Sequence, residues 1–162
     1  MRPILLATDG SPSAAEATRE AIELARVLDT TLVAVAVEHV GIPIYGYYGY
    51  AEVYTELHRT AREHVRTLLD EVAARCAEAG VPCELFAPES PVAEAICRIA
   101  REQDAGMIVI GAHGWGAIRR LAFGSVSLAV LTNAPCPVLV ARGVPDGETT
   151  WVDDRRVAAA VV

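Results

Sequence analysis

The chain has 162 residues, 52% of them hydrophobic and 22% charged, which suits one globular domain with a sizeable core. A net charge of -7 argues against nucleic acid as a partner, because such binding needs clustered positive charge. All 14 basic side chains are Arg, and the absence of Lys excludes both a Walker-A loop and Schiff-base chemistry.

No apolar run approaches the roughly 20 residues of a membrane span, so no membrane role is expected. Met1-Arg2-Pro3 leads straight into a strand-like segment with no signal-peptide pattern, which predicts a cytoplasmic protein. The four cysteines, Cys76, Cys83, Cys97 and Cys136, form no C-x-x-C and have no ligand spacing with the histidines. They read as small hydrophobes in a reducing compartment.

Ile4-Leu5-Leu6-Ala7 reads as a buried first strand that ends in Thr8-Asp9-Gly10-Ser11-Pro12. There Ser11 is the expected N-cap and Pro12 the first residue of a helix. Ala14, Ala17, Ala21, Ile22, Ala25 and Leu28 repeat at three and four, the stripe of an amphipathic helix. Residues 31–37 form a second strand, apolar on both faces, as in a parallel sheet covered on each side. Residues 40–54 hold all five tyrosines (Tyr45, Tyr47, Tyr48, Tyr50 and Tyr54), interleaved with Gly41, Gly46 and Gly49. Helical periodicity resumes through Val53, Leu57, Ala61, Val65, Leu68, Val72 and Cys76.

A third strand at 83–87 is less apolar and is expected near a sheet edge. A third helix starts at Ser90-Pro91, with Ile96, Ile99 and Ala100 inward and Glu94 at a capping-box position. Met107-Ile108-Val109-Ile110 is the fourth strand, followed by Gly111, Gly114 and Gly116 and then a helix from about Ser125 to Thr132. After the turn at 133–137 comes a fifth strand at 138–141. Strands alternating with helices in this way predict a doubly wound α/β fold. Residues 143–162 read as an extension beyond the domain, disordered or packed on a neighbour.

Two strand ends carry ligand chemistry. Strand one ends in Asp9-Gly10-Ser11 and strand four in Gly111. If these strands are neighbours with crossovers on opposite faces, a crevice opens between Asp9 and the loop at 111–125. Gly111 and Gly114 would let phosphates approach backbone N–H groups, and Ser125 would add a hydroxyl at a helix N-terminus. Asp9 would accept hydrogen bonds from ribose or act through a cation on the phosphates.

The spacing Gly111-x2-Gly114-x9-Gly124-Ser125 resembles the G-x2-G-x9-G-[S/T] nucleotide motif of the universal stress proteins. Ala7-Thr8-Asp9-Gly10-Ser11 and residues 133–140 are similar to that family too, so the resemblance covers residues 1–142. It implies a Rossmann-like sheet of strand order 3-2-1-4-5 that binds ATP, with Mg²⁺ or Mn²⁺ bridged by the phosphates. On that resemblance Asp9 contacts the ribose or phosphate side and Val37 meets adenine through its backbone. Ile110 and Gly111 line the ribose, while Gly114, Gly124, Ser125 and Val126 hold phosphates. The family also implies a homodimer through the last strand, with Pro137 and Arg142 at its ends. AMP and cyclic AMP are alternative ligands.

Other readings stand beside these. Arg119 and Arg120 either reach the phosphates or form solvated surface. Gly116 reads as a turn residue. His113 reads as a motif spacer, with a general base as the alternative, and His39, His58 and His64 read as surface or helix-face residues. The tyrosines of 45–54 form a lid over adenine, a surface for a protein partner, or the cover of a hydrophobic edge. The function expected is nucleotide holding by a stress-response regulator. A nucleotide-independent dimeric module, and a slow ATPase or autophosphorylating protein with Ser125 as acceptor, are the alternatives.

Overall fold

The computed structural model describes residues 1–38, 51–89, 91–114 and 123–142. The elements run β1 (Ile4–Ala7), α1 (Pro12–Val27), β2 (Leu32–Val35), α2 (Ala51–Ala79), β3 (Cys83–Phe86), α3 (Val92–Glu102), β4 (Met107–Gly111), α4 (Ser125–Asn133) and β5 (Val138–Ala141). All strand pairs are parallel, and the sheet order is β3-β2-β1-β4-β5, as the family resemblance implied.

Successive residues of a strand face opposite sides of the sheet, and here both sides are covered. On one side Ile4, Leu6, Leu32, Ala34 and Val109 pack with Ala17, Ala21 and Ala25 of α1 and Val65, Leu69 and Val72 of α2. On the other, Leu5, Ala7, Val33, Val35, Ile108 and Ile110 pack with Ile96, Ile99 and Ala100 of α3 and Val130 of α4. This is why β1, β2 and β4 are apolar without alternation. The edge strands are half-open: Leu85 of β3 and Leu139 of β5 are exposed.

Local signals explain most boundaries. Ser11 is the N-cap of α1, its Oγ accepting from the Ala14 N–H at 3.3 Å, with Pro12 in the first turn. Gly10 takes φ +74, a left-handed conformation that suits glycine in the turn before it. Three expectations change. The β2 ladder stops at Val35 rather than residue 37 because β1 has ended; beyond it only the β3 side continues, with Ala36 and Glu38 N–H donating to Phe86 O and Pro88 O. The N-cap of α3 is Pro91, which has no polar side chain, so the capping box read from Glu94 does not form. In α2 it is Leu69 that enters the core, while Leu68 is half-buried beside Gly10.

Within the tyrosine-rich segment, residues 51–54 are the first turn of α2. Tyr45, Tyr47, Tyr48 and Tyr50 lie outside the described residues, as do His39, Ser90, Gly116, Arg119, Arg120 and the extension 143–162. Cys76 and Cys97 are buried, Cys83 and Cys136 are half-buried, and all four are free thiols. Burial pushes the Cys97 and Cys136 thiols up. Among the described residues no helix is long and apolar enough to cross a membrane.

Candidate functional site

The chain leaves β1 into α1 on one face of the sheet and leaves β4 toward α4 on the other. β1 and β4 are adjacent, so their carboxyl ends diverge and a cavity of about 520 Å³ lies between them. Asp9, Val37, Ile110, Gly111, Gly114, Gly124, Ser125 and Val126 all line it, together with His113, Phe123 and Ser127. Eight residues scattered over 118 positions of sequence, from 9 to 126, thus share one concave surface.

The cavity has two halves. Val35, Val37, Val92, Ile96, Ile110 and Val126 form an apolar slot on the α3 side. The other half is built from Asp9, the loop after β4 and the start of α4. Among the described lining residues only Asp9 and His113 carry ionisable side chains. The N-terminal peptide N–H groups of α4 have no partner within their own helix, so this end presents donors to an anion. Gly124, the N-cap, is held by its own N–H donating to Ala112 O at 2.8 Å. Ser127 anchors the first turn by donating from Oγ to Gly111 O at 2.8 Å.

The three motif glycines do different work. A Cβ on Gly111 would stand 2.7 Å from Ser13 Oγ and 2.8 Å from Ala14 N, so the first turn of α1 fills the space beside it. The expected phosphate approach at Gly111 meets α1 on that side. A Cβ on Gly114 would stand 2.6 Å from Asp9 Oδ2. Around Gly124 the nearest atom, Ala112 O, lies at 3.5 Å, an ordinary contact, and φ is -71. Neither packing nor backbone conformation within the described residues requires glycine at 124.

Asp9 combines two roles, since its Oδ1 accepts from the Ser11 N–H at 3.0 Å while the residue lines the cavity. The loop after β4 is fastened to the start of α1. His113 O accepts from Ser11 Oγ at 3.1 Å and from Ser13 Oγ, and the His113 N–H donates to Ser13 Oγ at 3.2 Å. Sequence reading missed Ser13; its place directly after the Ser11-Pro12 cap was the available signal.

It also missed a cluster at the end of β2. The Glu38 side chain is 5% exposed and accepts from His58 Nδ1 at 2.7 Å and Arg62 Nε at 3.1 Å. Arg62 also donates to Glu89. Burial pushes the Glu38 carboxyl up, but the hydrogen bonds from His58 and Arg62 and their positive charge outweigh it, leaving it below the usual range. His58, read as a helix-face residue, therefore pairs with a buried carboxylate, whereas His64 is exposed. No group of three or more His, Cys, Asp or Glu side chains suited to a metal occurs among the described residues.

The family model described as the universal stress protein family matches residues 1–142. A universal stress protein of Methanocaldococcus jannaschii is 32% identical over 145 residues, spanning 87% of this chain and 82% of its own length. One from Thermus aquaticus is 36% identical over 143 residues, spanning 87% of this chain and 98% of its own. Among solved structures, the universal stress protein UspA of Lactobacillus plantarum superposes with a TM-score of 0.78 at 25% identity, covering 86% of this chain and 97% of its own. More distant solved members of the same fold are described as complexes with cAMP, AMP and dAMP. The chain belongs to the universal stress protein family.

Proposed function

We propose that this protein holds an adenine nucleotide, ATP in the first instance, in the cavity between the ends of β1 and β4. The observation that carries the reading is the composition of that cavity. An apolar slot sits beside a helix N-terminus whose N-cap is a glycine that no contact among the described residues requires. The AMP, dAMP and cAMP complexes of structural relatives support the adenine part of the reading.

In this arrangement the base enters the slot against Val37, Ile96 and Val126, with the ribose beside Ile110 and Asp9. The phosphates lie over Gly114 and Gly124 and take hydrogen bonds from the Ser125 hydroxyl and the first N–H groups of α4. Mg²⁺ or Mn²⁺ would be held mainly by the phosphates, with the Asp9 carboxylate as the protein's contribution. The chain's part is binding and charge placement, so we propose retention of the nucleotide rather than rapid turnover. Arg119 and Arg120 belong to the proposal as further phosphate contacts.

Mass spectrometry of the protein as purified identifies the retained nucleotide, and isothermal titration with Mg-ATP, AMP and cyclic AMP ranks the ligands. Absence of heat at millimolar concentration of all three overturns the proposal.

β5 stands at the edge of the sheet with Leu139 exposed, and α4 exposes Leu128 and Leu131. These features support a homodimer through the last strand. Sedimentation analysis with and without ATP tests it, and a monomer in both conditions would sink it.

A further inference from the structure

Along β2 and its continuation, residues alternate between two environments. Val33 and Val35 enter the core under α3 and α4, whereas Ala34 and Ala36 enter the core under α1 and α2. Val37 continues the first series and packs against the α3 side. Glu38 continues the second and faces α2, so a carboxylate follows two alanines on a buried face. Removing a carboxylate from water is unfavourable in a way that an apolar residue would avoid, so burial alone does not account for it.

The backbone gives Glu38 a task. The N–H groups of Ala36 and Glu38 donate to Phe86 O at 3.1 Å and Pro88 O at 3.3 Å, so both point toward the β3 side. The N–H and C=O of Val37 therefore point the other way, toward β1. β1 no longer runs there: Thr8 N–H donates to Val35 O at 3.0 Å, and the chain then turns through Asp9 into α1. Val37 lines the cavity, and on this alternation its peptide N–H and C=O would face it as one donor and one acceptor side by side. That pattern complements the N1 acceptor and N6 donor of adenine, and it mismatches guanine, whose O6 and N1–H reverse the order.

We infer that Glu38 is the positioning residue that fixes this peptide edge and so sets the preference for adenine. Its carboxylate takes hydrogen bonds from His58 and Arg62, one turn apart on α2. Arg62 continues to Glu89, and Glu89 forms a parallel bridge with Glu38. One carboxylate thus ties the end of β2 to α2 and to the chain beyond β3, directly next to Val37. The inference rests on the adenine-nucleotide reading above. Glu38 acts through the backbone of its neighbour.

Titration of the full chain with ATP, GTP and inorganic tripolyphosphate tests it. Glu38→Ala should weaken ATP by about tenfold and reduce the ATP-to-GTP preference to within about threefold. Tripolyphosphate, which reaches only the α4 end, should stay within about twofold of wild type. Arg62→Met, at a side chain 62% exposed, removes one arm of the clamp without entering the core and should shift the preference in the same direction. It decides the matter if Glu38→Ala does not fold. A folded Glu38→Ala that keeps the wild-type ATP-to-GTP ratio overturns the inference, as does an equal loss for all three probes. If wild-type protein binds no adenine nucleotide, the reading of the cavity falls and this inference falls with it.

Discussion

The Asp9 carboxylate occupies the volume next to residue 114 where a side chain would begin, with 2.6 Å between Oδ2 and the place of a Cβ. Gly114→Ala therefore acts on Asp9 before it acts on any ligand. Asp9→Asn and Gly114→Ala should each weaken Mg-ATP by roughly tenfold or more, and the double variant should lose much less than the sum, with a coupling of about 1 kcal/mol or above. Full additivity in isothermal titration would show that the two positions act separately.

Gly124 gives the cleaner probe of the phosphate end. Because the nearest atom to an added Cβ among the described residues is 3.5 Å away, Gly124→Ala should cost stability only through the poorer N-cap, no more than about 1 kcal/mol in urea unfolding. Mg-ATP affinity should nevertheless fall by at least about tenfold, since the methyl enters the space assigned to phosphate. An unchanged dissociation constant places the phosphates elsewhere.

Gly111→Ala should behave in the opposite manner. Its Cβ meets backbone as well as a hydroxyl in the first turn of α1, and neither yields without moving the helix. A loss of about 1–3 kcal/mol in urea unfolding is expected, with or without nucleotide present. Wild-type stability would show that α1 can shift at no cost.

Ser11→Ala removes both the N-cap of α1 and one donor to His113 O. A destabilisation of about 1 kcal/mol follows from the cap alone. Amide exchange at residues 112–114 should rise as well, because the loop after β4 loses a fastening. Faster exchange confined to α1 would leave the cap as the only role of that hydroxyl.

Glu38 provides a pH dependence with a definite sign. Its carboxyl lies below the ordinary value of 4.5, because partner hydrogen bonds and charge outweigh burial. A group whose folded value is depressed adds stability above its unfolded value and loses that contribution as pH falls through the folded value. Wild type should thus exceed Glu38→Gln in urea midpoint at neutral pH, and the gap should close on acidification below 4.5. A gap constant from neutral pH down to about 3 would detach the clamp from the charge of Glu38.

The alternation of strands and helices was legible in local signals, uninterrupted apolar strands and a Ser-Pro helix start, whereas the sheet order and the residues of the cavity came through the family resemblance that the spaced glycines carry. Residues whose roles depend on a contact across the fold were not legible. Ser13 and His113 meet across 100 positions, and Glu38 meets Arg62 across 24. Glu38 reads in sequence as an ordinary charge just past a strand, and only the arrival of α2 over that strand end makes it a buried anchor. The same limit applies to Gly111. Its spacing matched a ligand motif, but the atoms that demand glycine there belong to the neighbouring helix.

The fastening of the cavity through main-chain groups has a consequence for mutational tolerance. Val37, Ile110 and Val126 contribute peptide edges or apolar area that other aliphatic side chains supply equally well, so exchanges among Val, Ile and Leu at these positions leave the cavity intact. Gly10 and Gly111 answer to a turn conformation and to backbone contacts of 2.8 Å, where the smallest added carbon already strains the chain or collides. A saturation scan of the cavity should therefore show intolerance at these glycines and at Asp9, among aliphatic positions that accept exchange. Selection can then redraw the outer surface of this protein freely while the cavity persists.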